Sequence, residues 1–125
     1  ELLWVYNRDA AAHEDGDVVS WYDGTVADGL EISTNAGFND RLVAGVCFGD
    51  IAATTWGFLQ TRGYHDSVTV ASATSAGDML VLSATAEGAS VFTVAEASTT
   101  YELGVFAIAF EATTASTTAK AILYR

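Results

Sequence analysis

Apolar positions along the chain fall in short runs separated by Gly, Asp and Asn, and helical spacing is hard to find beyond one turn. Residues 2–7 (LLWVYN) form an aromatic-rich run with strand character. A polar connection follows over 9–17, with room for one helical turn at 10–12. The next strand is expected over 18–22, between Gly16-Asp17 and the turn pair Asp23-Gly24. Alternation is weaker over 26–32, and 35–41 (NAGFNDR) reads as a turn-rich loop. The stretch 45–63 reads as an apolar strand, an acidic corner at Asp50, a small-residue loop and a second strand from Trp56, closed by Gly63. Val68 and Val70 alternate with polar residues, and further strands are expected over 79–82, 91–94, 104–110 and 121–124. Turn signals every ~8–12 residues are the pattern of a β-sandwich or barrel. The chain reads as all-β.

Several of these events recur. Ala76-Gly77-Asp78 and the strand after it parallel Asp15-Gly16-Asp17 and the strand after it. Gly16 and Gly77 are 61 residues apart, Gly45 and Gly104 are 59 apart, and Glu111 stands to the second series as Asp50 does to the first. One domain over 1–125, made of half-units 1–63 and 64–125, accounts for this. Chance recurrence of Gly-Asp and Gly-Val pairs is the alternative.

Length and composition fit that picture. A chain of 125 residues can bury a core without staples, and three Trp, five Tyr and six Phe supply bulk. Sixteen acids against five bases give −11, divided as −7 over 1–63 (ten acids, three bases) and −4 over the remainder (six acids, two bases). Acidity spread in this way opposes phosphate backbones, so no nucleic-acid partner is expected. It suits a soluble surface, or one that meets a basic partner. The run 105–110 is far short of the ~20 residues of a membrane helix, and no membrane partner is expected. No basic segment leads into a cleavage site, so no signal peptide is expected, and the absence of an initial Met points to processing or trimming. The lone Cys47 allows neither an internal disulfide nor a zinc cluster.

Each candidate for chemistry has a plainer reading. His13-Glu14-Asp15-Gly16-Asp17 offers carboxylates to calcium but lacks the spacing and closing Glu of a calcium hand, and reads better as a solvated turn. His13 and His65 share no ligand spacing and read as surface or boundary residues. Cys47, among apolar neighbours, reads as an inert core thiol. Asp50 and Glu111 would serve a hydrolase only if they met in one cleft about 5–10 Å apart; as repeated corner residues they read as turn carboxylates. Trp4 and Trp56 read as core or interface anchors. Trp21-Tyr22 sends one ring to each face of a strand, so one ring of the pair is expected at the surface or at a contact. No catalytic residue, cofactor or metal is expected.

The ordered series GVCFGDIAATTWGFLQTRGY, SAGDMLVLSATAEG and LGVFAIAFEATTASTTAKAILYR resembles the small capsid decoration (cement, head-stabilising) proteins of tailed bacteriophages. The likeness covers roughly 16–22 and 42–125, and the order of the motifs carries it. It implies a compact β-sandwich or β-barrel-like (β-tulip-like) domain without enzymatic activity. Such a protein sits on the outer capsid surface of the virion and stabilises the lattice of its partner, the major capsid protein. It also implies a homo-oligomer, a trimer before a dimer. The apolar chain start, as a contact arm over 1–8, supplies the expected partner contacts Leu2, Leu3, Trp4 and Tyr6, with Trp21 and Tyr22 beside them. The competing reading is a carbohydrate- or receptor-binding β-module of a phage tail or cell surface that uses Trp21 and Tyr22.

Overall fold

The computed structural model describes residues 1–22, 30–34, 43–83, 88–91 and 105–124. The chain is all-β, and the described residues form ten strands: β1 (Leu2–Asn7), β2 (Val18–Trp21), β3 (Glu31–Ser33), β4 (Val43–Phe48), β5 (Trp56–Gln60), β6 (Gly63–Val70), β7 (Met79–Leu82), β8 (Ala89–Val91), β9 (Ala107–Ala109) and β10 (Thr117–Leu123). They close into two five-stranded barrels, ordered β1-β3-β2-β4-β5 and β10-β6-β8-β7-β9. Each barrel has one parallel pair, β1 with β3 and β6 with β8, and the other pairings are antiparallel.

The second barrel repeats the first strand for strand. Position 14 pairs with 17 as 75 does with 78: the later residue's N–H bonds the earlier carbonyl at 3.1 Å in both. Asp17 and Asp78 each accept the earlier N–H at 2.8 Å. Single bridges join His13 to Ile51 and Thr74 to Thr113. Gly16 and Gly77 hold φ of +92° and +93°, a left-handed conformation that these tight turns need and that glycine adopts without strain.

The period-2 pattern, shifted once by a bulge in β4 opposite Val19 and Ser20, explains the cores. Val19, Ala44, Cys47 and Leu59 point into the first barrel with Val5, Ile32 and Ile51. Their neighbours Val18, Val43 and Val46 point the other way and join the core of the second barrel, beside Val68, Leu80 and Phe106. Two sheets thus share one continuous seam. Strand β1 is an integral barrel strand, paired with β5 from Leu2↔Gln60 to Tyr6↔Trp56.

Five expectations change. Residues 10–12 form a bend and no helical turn, because His13 is drawn into the bridge to Ile51. Gly63 opens β6 instead of closing β5. Of the apolar run 104–110, only Ala107–Ala109 is strand among the described residues. The strand expected over 91–94 is seen as Ala89–Val91, and its remainder lies outside the described residues, as do 23–29 and the loop 35–41. The bridges align Ile51 with Thr113, which places Glu111 opposite Gly49 and not opposite Asp50.

Both histidines are buried, not at the surface. His13 Nε2 lies 3.2 Å from Asp9. His65 Nδ1 accepts the Ser67 N–H at 3.2 Å, so the ring proton sits on Nε2, which faces the Cys47 carbonyl at 3.2 Å. That bond crosses from β6 to β4 and ties the two barrels together.

Candidate docking surface

Strand parity decides what the first barrel shows to solvent. In β5, Leu59 faces inward. Gly57 does too, where a Cβ would come within 2.6 Å of Ile51 Cγ1. Trp56 and Phe58 are therefore turned outward. Register places Phe58 between Phe48 of β4 and Trp4 of β1, and Trp56 opposite Tyr6.

The result is an exposed aromatic face. Trp4 and Trp56 are 50% and 52% exposed, stacked at 6.2 Å between centroids and 8° between planes. Phe58 meets Trp4 edge-on at 4.8 Å, and Tyr6 meets Trp56 edge-on at 5.4 Å. Phe48 continues the face to the seam, edge-on to His65 at 6.3 Å. A shallow depression there is lined by Asp15, Phe48, Gln60, Tyr64, His65 and Asp66. Rings locked against one another are already ordered, so docking on them costs little side-chain entropy. A contiguous apolar patch on so acidic a chain makes this face the candidate contact surface.

Of the six residues expected at a contact, three lie on this face: Leu2, Trp4 and Tyr6. Leu3 and Trp21 pack instead against the first core. Tyr22 lies under the Arg8 guanidinium, 4.8 Å from its carbon. A hydrogen bond to Tyr22, with Glu31 3.5 Å away, holds the Arg8 pKa above its ordinary value. Trp21 and Tyr22 are both half-buried. Phe58 and Phe48 are surface residues that the sequence reading did not single out, and Trp56, read as a core or interface anchor, is exposed. The inward pair Gly57 and Leu59 was the signal that could have found them.

The carboxylates have local tasks. Asp50 Oδ1 accepts the Asp15 N–H at 2.9 Å, in the first barrel. Glu111 Oε1 accepts the Lys120 N–H at 2.9 Å, in the second. Each accepts a backbone N–H within its own barrel, from the turn 14–17 for Asp50 and from strand β10 for Glu111. Cys47 is buried. No group of three or more His, Cys, Asp or Glu among the described residues is arranged to hold a metal ion, and no helix among them is long and apolar enough to cross a membrane.

No protein-family model matches this chain, and no curated protein matches it. A solved structure does. The N base of head fiber gp8.5 of bacteriophage phi29 superposes with a TM-score of 0.66 at 13% identity, over 99% of this chain and 95% of that one. At that identity the two share a fold. The likeness takes in both barrels.

Proposed function

We propose that this chain is a non-enzymatic structural protein of a phage virion that binds the outer surface of the head. There it contacts the major capsid protein through the aromatic face of the first barrel and stabilises the lattice. The observation that carries the reading is the exposed set Trp4, Trp56, Phe58 and Phe48, with half-buried Tyr6 beside it, on a fold that spans the base of a phage head fiber. The decoration-protein motifs point the same way. A protein that binds the assembled lattice and not its loose subunits favours assembly by mass action. Many copies of a modest contact then act together across the shell.

Because β1 closes the first barrel, removing residues 1–6 would test folding and not contact. The sharper experiment is co-sedimentation of the chain with heads built from the major capsid protein of the same phage. The chain should sediment with heads and raise their bursting temperature. The double variant Trp4→Ser/Trp56→Ser should stay folded and be lost from the heads. Absence of binding by the unaltered chain overturns the proposal, and binding to a glycan array without binding to heads replaces it with the receptor-binding reading.

A further inference from the structure

The two barrels differ most on one face, and the difference shows what that face is built to hold. In the first barrel, Val18, Val46 and Gln60 stand in register across β2, β4 and β5. They are 1%, 0% and 6% exposed, because the second barrel sits on them. The turn 14–17 beside them is seated on β6. Thr69 N–H donates to the Gly16 carbonyl at 2.9 Å, and a Cβ on Gly16 would run into the carbonyl of Ser67.

The same row in the second barrel is Met79, Ile108 and Ile122 across β7, β9 and β10, and Tyr64 of β6 extends it. Here Met79 is 43% exposed, Ile122 36% and Tyr64 52%, and Ile108 is half-buried. Phe110 stacks on Tyr64 at 6.4 Å and enlarges the patch. A Cβ on Gly77 would meet nothing within 4 Å. Row and turn are both kept, and both are uncovered.

We propose that this row is a docking site for a second copy of this chain, whose first barrel seats there as the second barrel seats on the first. The chain itself names the occupant. Where row and turn occur together in the first barrel, a barrel of this same fold covers them. Along the register the row carries no charge, which suits the meeting of two chains of −11 each. A contact between two different faces is heterologous; repeated, it closes into a ring or continues as a filament. The inference needs no capsid, and its test uses the chain alone.

Sedimentation velocity on the full chain, from micromolar to millimolar concentration, tests it. The average mass should rise with concentration. It should also rise with salt, because screening weakens like-charge repulsion; an oppositely charged partner would respond in the other direction. Ile122→Lys and, separately, Met79→Glu should weaken association roughly tenfold or more, with the thermal midpoint little changed. Added to unaltered chain, the Ile122→Lys chain should still bind and cap assemblies, since its own first barrel is intact. A chain that stays monomeric throughout, or association that survives both substitutions, overturns the proposal. So does an Ile122→Lys chain that ignores the unaltered one, which would mean that the rows pair with each other.

Discussion

Gly16 and Gly77 share a backbone and differ in everything around it. Both hold φ near +92°, and both open a strand after a turn closed by an aspartate. Gly16 lies against the backbone of β6, whereas Gly77 faces open space. The first glycine thus answers to two constraints, conformation and close approach, and the second to conformation alone. A repeated motif in a chain does not imply a repeated role. One copy can join the barrels while the other keeps the same shape at the surface.

Substituting both glycines separates the two constraints, and it carries the largest expected effect. Gly77→Ala should cost about 1–3 kcal/mol, the range for holding a side chain in a sparsely populated backbone region. Gly16→Ala carries that same strain and must also displace the Ser67 carbonyl, so its loss should exceed that of Gly77→Ala by about 2 kcal/mol or more. Urea denaturation of both variants measures the difference. Equal losses would mean that the seam at Gly16 is loose.

This contrast also marks how far the sequence could be read. Strand existence was legible, and β1 and β7 span the apolar runs 2–7 and 79–82. So was the repeat of the Gly-Asp turn, because a tight turn with φ above zero demands those residue types. The partner of each turn was not legible. Nothing near Gly16 announces β6, some fifty positions later, and nothing near Gly77 announces open space. His65 misled for the same reason, since its burial depends on the Cys47 carbonyl, which only the fold brings near. The aromatic face was half legible. Leu2, Trp4 and Tyr6 are among the residues expected at a contact, but Trp56 is left between core and interface because parity tells two faces apart without telling which is wet.

The aligned rows give a middle-sized comparison. Val46 is fully buried beneath the second barrel, and its counterpart Ile108 lies on the uncovered row. Val46→Ala removes two buried methyl groups and leaves a cavity, at a cost of about 1.5–3 kcal/mol. Ile108→Ala removes more carbon but should cost the lone chain about 1 kcal/mol or less, since that side chain is already partly in water. Chemical denaturation at low protein concentration checks the order. At high concentration the gap should narrow if a second copy covers the row, because Ile108 would then be buried as Val46 is.

The smallest effect lies in the two turn aspartates. Asp17 and Asp78 each accept a backbone N–H at 2.8 Å, and losing either acceptor should cost about 1 kcal/mol. Asp17 Oδ1 also accepts the Thr69 hydroxyl at 3.3 Å, across the seam between the barrels. A double-mutant cycle of Asp17→Ala with Thr69→Val isolates that bond. Its coupling should be about 0.5–1.5 kcal/mol. The parallel cycle of Asp78→Ala with Thr69→Val should give a coupling near zero, because Asp78 belongs to the uncovered turn. Equal couplings in the two cycles would mean that the Thr69 contribution reaches the turns through the fold as a whole and not through a bond at the seam.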